Sequence, residues 1–261
     1  MRWAIGIEYD GAAFNGWQAQ AHATGVQTVV EAALSAVADE PIKVQCAGRT
    51  DAGVHAVGQV AHFDSASART ERAWTLGTNA HLSRGVAVRW ARAVPDDFHA
   101  RFSALSRRYA YLILNRPARA GLWHTRVAWE CRPLDVARMQ AAAPALLGQH
   151  DFSSFRAAGC QSRHPLRTVH HLRVSRQDEL VRIDIEANAF LQHMVRNIAG
   201  VLLDIGAGER PPGWAAEVLA ARDRRQGGVT APACGLYFLE ARYPADFALP
   251  VPAVPEQGVP W

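Results

Sequence analysis

Segments that alternate every second residue are interleaved with segments that repeat every three to four, and a chain in that order folds neither as a helical bundle nor as an all-β barrel. Trp3, Ile5, Ile7 and Tyr9 alternate with smaller or polar residues between Arg2 and Asp10, a strand period that the Asp10-Gly11 turn ends. From Val26 to Ala38 the apolar residues Val26, Val29, Val30, Ala33, Leu34 and Val37 define an amphipathic helix, stopped by Asp39-Glu40-Pro41. A strand is predicted at Ile42 to Cys46, then a Gly-rich segment from Ala47 to Gly58. A strand at Gln59 to Phe63, a helix at Arg72 to Ala80 and a strand at Val86 to Val94 follow. After Pro95 the order repeats in outline. A strand is expected at Tyr109 to Leu114, a helix at Asp135 to Leu147, and strands at Arg167 to Val174 and Leu180 to Ala187. A long helix from Phe190 to Ile205, a short one at Trp214 to Ala221 and a last strand at Gly235 to Ala241 complete the pattern. Two mixed α/β halves joined near Ser103 to Ser106 fit this better than a repeated strand-helix parallel array. The division expected is 1–103, 104–245 and a tail at 246–261 that its prolines keep extended.

With 261 residues, 49% of them hydrophobic and 20% charged, the chain is neither a stapled mini-protein nor a disordered one. Of its 28 basic residues Lys43 is the single lysine, which leaves 27 arginines against 24 acids, a net charge of +4. Guanidinium forks suit phosphates and base edges, so the balance tilts towards a nucleic-acid partner, although a charge this modest also suits an ordinary solvated surface. Cys46, Cys131, Cys160 and Cys234 stand too far apart for a disulfide framework or a zinc ribbon. His170, His171, His193 and Cys46 follow no metal-ligand spacing, so no metal is assigned. Glu8 and Asp10 interrupt any signal peptide, and no apolar run approaches about 20 residues, so a cytoplasmic protein without a membrane anchor is expected. Nucleotide-binding glycine loops, H-E-x-x-H and G-x-S-x-G are absent.

The informative segment is Gly48-Arg49-Thr50-Asp51-Ala52-Gly53-Val54-His55-Ala56, between two expected strands. Its glycines let the backbone turn sharply and let a ligand approach, and Arg49 can keep the Asp51 carboxylate ionised in partial burial. That makes Asp51 a candidate nucleophile; on charge pattern alone a turn aspartate in a structural ion pair with Arg49 is the better reading, and the eight-residue string as a whole decides between them. The string GRTDAGVH resembles the active-site signature of the TruA family of tRNA pseudouridine synthases. The similarity continues, in order, through Tyr9-Asp10-Gly11, Gly16-Trp17-Gln18, Val26-Gln27, Asp96 to Ser103, Arg108 to Tyr111, Asp151 to Phe155, Asn188-Ala189-Phe190, His193 to Asn197 and Gly235-Leu236-Tyr237.

The resemblance implies isomerisation of uridine to pseudouridine at positions 38, 39 and 40 of the tRNA anticodon stem-loop, without metal or cofactor. It implies that Asp51 is the nucleophile and that Arg49 pairs with it and fills the space of the extruded base. Tyr109 would stack on the uracil and serve as general base, and Leu236 would form the apolar floor of the pocket. Arg69, His99, Arg101 and the run Cys160, Gln161, Ser162 and Arg163 would contact RNA. For His193, Arg196 and Asn197, packing is as good a reading as RNA contact. The fold implied is α/β (α+β), with two ferredoxin-like subdomains whose mainly antiparallel sheets join into one curved sheet around a catalytic cleft, in a homodimer. A non-catalytic tRNA-binding protein or RNA chaperone on the same fold is the alternative. An acid-base enzyme for a small substrate is a third reading.

Overall fold

Strand β1 (Arg2–Tyr9) has both of its hydrogen-bonding edges taken by antiparallel strands, β3 (His55–Asp64) on one side and β4 (Val86–Val94) on the other, and is buried from Trp3 to Ile7. Its alternation supplies Trp3, Ile5 and Ile7 to one face, while Ala4 and Gly6 keep the other thin enough for Trp90 to lie across Gly6. Helix α1 (Val26–Ala38) has the predicted bounds and ends where Asp39 turns left-handed, its N–H returning to Ser35 O. The helical stretch expected at Arg72 to Ala80 contains an i→i+5 turn, Ala73–Gly77, before α2 (Thr78–His81). That turn directs Trp74 onto Trp3 and Phe63, with ring centroids 5.9 and 5.0 Å away.

These elements form the first of two units described by a computed structural model, which covers residues 1–20 and 22–252. The first unit comprises Met1–Ser106 and the stretch from Tyr237; the second comprises Arg107–Leu236. Residues 253–261 of the Pro-rich tail lie outside the described residues. In the first unit the strand order is β4-β1-β3-β10, where β10 (Leu236–Arg242) runs parallel to β3 through Tyr237 opposite His55. The strand expected at Ile42 to Cys46 pairs only at β2 (Gln45–Cys46). Helix α1 explains the difference: Ser35 Oγ accepts from Ile42 N at 2.9 Å and Glu31 Oε1 from Val44 N at 3.0 Å, so these amides never reach a ladder.

In the second unit the order is β5-β9-β8-β7, antiparallel throughout, from β5 (Ser106–Asn115), β9 (Leu180–Ala187), β8 (Leu166–Gln177) and β7 (Gly148–Asp151). A short parallel strand, β6 (Ala128–Glu130), adds to β5. Helix α3 (Val136–Ala142) packs on α4 (Met194–Gly206) and on β8, with α5 (Trp214–Ala221) beside both helices. The helix expected to reach Leu147 tightens at Ala142 into a 3-10 turn around Pro144, which has no N–H to continue an α-helix. The long helix starts at Met194 rather than Phe190, because His193 takes φ of 62°. Both units are thus mixed α/β with mainly antiparallel sheets. No helix among the described residues is long and apolar enough to cross a membrane.

Candidate active site

The Gly-rich segment is the connection between β2 and β3, and its base is closed by Ala47 N donating to Val60 O at 2.7 Å. Gln59 is fully buried, and its Nε2 donates to Gly48 O at 2.7 Å. Two residues on, Thr50 Oγ1 lies 2.8 Å from Tyr9 OH, a buried hydrogen bond that ties the loop to β1. Burial pushes the Tyr9 phenol well above its ordinary range, opposed by that bond to Thr50, so the phenol stays protonated. Asp51 O accepts from Val54 N at 3.1 Å, closing a four-residue turn whose third residue, Gly53, has φ of 79°. A type II turn needs positive φ there, which is why glycine stands at that position.

A second loop braces the first from outside. The chain leaving β1 makes a 3-10 turn at Gly11–Ala13, capped by Asp10, and then runs along residues 50–53. Trp17 N donates to Thr50 O at 3.0 Å, and Gly53 N donates to Phe14 O at 3.4 Å. Gly16 (φ 89°) lies against the peptide of the candidate nucleophile, so that a Cβ there would meet Thr50 O at 2.7 Å and Asp51 C at 3.2 Å. His55 is buried, stacks on Tyr237 with centroids 4.6 Å apart, and holds Nδ1 within 3.1 Å of both the Gly11 amide and an Asp10 carboxylate oxygen. The result is a half-buried Asp51 between exposed Arg49 and Ala52, on a backbone fixed at each neighbouring peptide. Cys46 is no rival nucleophile, since burial pushes its thiol up to about 12 against the attraction of Arg49.

Tyr109 is buried in β5 opposite Ile185, with Phe190 edge-on to its ring at 5.0 Å and 82°. The residues on either side are anchored. Arg107 Nη1 donates to Asn188 O at 2.9 Å, and Arg108 Nη2 lies 3.2 Å from Asp184 Oδ1. Asp184 in turn takes the buried Arg182 through two bonds of 2.7 and 2.8 Å. Tyr111 OH donates to Pro232 O at 2.8 Å and draws residues 232–235 onto β5, where Gly235 lies against Leu112 O. Leu236, next in the chain, is buried.

The remaining candidates occupy three places. Arg69 Nε donates to Val37 O at 2.8 Å, at the carboxyl end of α1. His99 and Arg101 sit in a tight turn beside β2, with His99 Nε2 2.8 Å from Gln45 Oε1 and the Arg101 amide donating to His99 Nδ1 at 3.1 Å. In the second unit Cys160 O and Ser162 O both accept from Arg156 Nη2 at 2.7 Å, while Arg167 Nη2 donates to Ser162 Oγ at 2.7 Å. That loop leaves Gln161 and Arg163 exposed. Burial alone would raise the Cys160 thiol, but the Gln192 and Ser162 amides and Arg156 hold it below its ordinary value. Asn197 is buried and bonds Phe155 O, Arg224 and Thr230, which makes it a packing residue of α4. Sequence reasoning missed Tyr9, Gly16, Thr50 and Gln59 as supports of the loop. The Y-D-G and G-W-Q strings stand far from Asp51 in sequence, and only the β1–β3 register brings them to it. Among the described residues no group of three or more His, Cys, Asp or Glu is placed to hold a metal ion.

Residues 5–103 and 142–244 match the family described as tRNA pseudouridine synthase. The chain is 56% identical over 247 residues to tRNA pseudouridine synthase A of Hydrogenovibrio crunogenus, a match covering 95% of this chain and 94% of the relative. It is 57% identical over 250 residues to the protein of that name from Nitrosococcus oceani, covering 96% of each. The counterpart from Pseudomonas aeruginosa is 56% identical over 250 residues, covering 95% of this chain and 88% of the relative. With the match spanning both units, the chain belongs to the tRNA pseudouridine synthase family, a family of isomerases.

Proposed function

We propose that this chain isomerises uridine to pseudouridine at positions 38, 39 and 40 of the tRNA anticodon stem-loop, with Asp51 as nucleophile. The observation that carries the reading is the fixed loop around a single half-buried carboxylate, braced from β1 and from residues 14–17. The reaction breaks the bond between uracil nitrogen and ribose C1′, turns the uracil and joins a ring carbon to C1′, while the proton displaced from that carbon leaves to a base and the freed nitrogen takes up a proton. Atoms and electrons balance without oxidation or hydrolysis, so one carboxylate and one proton acceptor suffice. Asp51 serves whether it attacks C1′, attacks the uracil ring or assists loss of a ribose proton, and each course needs the carboxylate ionised and held still.

In this reading Arg49 pairs with Asp51 and enters the stack where the target base has left it, since a base inside a stem reaches no side chain until it is flipped out. The Tyr109 ring stacks on the uracil and its hydroxyl accepts the carbon-bound proton, with Leu236 as the apolar floor. His99, Arg101 and the Cys160–Arg163 loop contact the RNA backbone, as does Arg69. The enzyme acts in the cytoplasm as a homodimer and uses no cofactor. Incubation with unmodified tRNA followed by a chemical assay specific for pseudouridine tests the reading. Stoichiometric product at the three positions supports it, and tRNA binding without product would favour the non-catalytic RNA-binding alternative.

A further inference from the structure

We propose that Phe102 is a stacking platform for an unpaired RNA base. The side chain is 75% exposed, which in a lone apolar residue means nothing. Its setting gives it meaning. His62, His99 and Phe102 form a chain of three contacting rings that leads from the core to the surface, with successive centroids 4.5 and 4.3 Å apart and planes tilted by 57° and 34°. The turn that carries the outer ring is fixed. His99 N donates to Ser103 Oγ and Ser103 N to His99 O, each at 2.9 Å, while the Phe102 amide donates to His99 Nδ1 at 3.2 Å. The Ala100 amide donates to His62 Nδ1 at 3.1 Å, and Tyr243 OH donates to Ala100 O at 2.6 Å.

Both imidazoles accept backbone N–H groups at Nδ1, so each carries its proton on Nε2 and is neutral. Burial holds both below their ordinary value, which keeps these rings uncharged. The Arg101 guanidinium lies over the Phe102 ring, 5.4 Å from its centroid. A fixed, exposed aromatic ring paired with an arginine is an arrangement by which proteins take single-stranded nucleic acid: the ring stacks on a base, and the guanidinium, swinging off the ring face, meets the adjoining phosphate. An unpaired base adds a fourth ring to this chain at the exposed Phe102, and the positive charge favours a nucleotide over an apolar peptide. The base is sequence-tolerant because every base has a π face, so Phe102 holds the loop of the arm in place rather than choosing its sequence.

The proposal rests on the reading that the chain binds tRNA, and the test separates the two. Phe102→Leu keeps an apolar side chain and removes the π face; Phe102→Trp enlarges the face. Binding is titrated with an unmodified anticodon arm and with arms carrying one abasic site at each unpaired position. Phe102→Leu should weaken the intact arm about tenfold. One abasic site should cost the wild type a similar factor and cost Phe102→Leu nothing. Unchanged binding by Phe102→Leu, or equal abasic losses in both proteins, overturns the platform. If the leucine variant melts early, Phe102→Trp decides: binding at least as tight as wild type supports the platform and weaker binding overturns it. Oligouridylate is the second probe. Phe102-dependent binding to it without binding to the arm keeps the platform and removes the tRNA reading, whereas binding to neither RNA removes both. A change of oligomeric state in Phe102→Leu, seen by sedimentation, makes the ring a contact between copies and overturns the proposal.

Discussion

Asp51 carries the proposed chemistry while its own carbonyl and those of Gly48 and Thr50 are all engaged by other groups, so the carboxylate moves little relative to β1 and β3. Asp51→Asn keeps every one of these backbone bonds. It should abolish pseudouridine formation while leaving tRNA affinity within about tenfold, because phosphate contacts supply most of the binding. Measurable turnover by that variant would remove the nucleophile assignment. Arg49→Lys preserves charge and loses the planar fork, so a large fall in single-turnover rate on folded tRNA is expected. If the fork acts in flipping, the fall should shrink on an arm whose target pair is mismatched, where unpairing costs a few kcal/mol less. Equal defects on both substrates would confine Arg49 to its carboxylate. The prominence of Asp51 was legible from sequence because small residues and glycines isolate a single acid. The brace from Gly16 was not, since a close approach of two backbones leaves no mark on either segment alone.

At the level of elements, the Tyr9–Thr50 bond joins a strand to a loop. Thr50→Val is nearly isosteric and removes one of the two side-chain partners of the buried Tyr9 phenol, Gln59 being the other, at a cost of about 1 kcal/mol. Denaturant unfolding should show that loss, and kcat should fall with it while arm affinity holds; unchanged stability would mean that the bond is not formed. His62 adds a pH dependence. Burial lowers it to about 4, below the 6.5 of an unfolded histidine, so between these values the unfolded chain binds more protons. Stability should therefore fall as the pH drops from 6.5 towards 4, and His62→Asn, whose Oδ1 can still accept from Ala100 N, should flatten that part of the curve. An unaltered pH profile would mean that His62 is not held neutral. Strong periods gave α1 and β4 to the residue, since nothing tertiary competes with them. Sequence placed the start of β3 four residues late, because glycines read as loop although β10 pairs with His55 and Ala56. The short strands β6 and β7 escaped notice; three or four residues cannot display a period.

Across the whole molecule, the proposed reading has exposed arginines meeting RNA phosphates through many weak contacts, so affinity should fall linearly with salt on logarithmic axes. Arg101→Ala and Arg163→Ala should each flatten the slope in titrations at several salt concentrations, and an unchanged slope in both would remove these residues from the RNA surface. The first unit also has a property set by the order in which a ribosome releases the chain. β10 is the strand that covers β3 at His55, and Tyr237 is the ring on which His55 stacks, yet both leave the ribosome after the entire second unit. Until then the start of the strand that ends the Asp51 loop, at His55 and Ala56, lacks its pairing partner, and an open edge is a site at which nascent chains can pair with one another. Translation products that stop before Tyr237 should aggregate and form no pseudouridine, and a separately supplied peptide containing β10 should restore solubility to the amino-terminal fragment. A chain released before Tyr237 would thus lack the strand that completes its first unit, and on the proposed reading it should modify no tRNA.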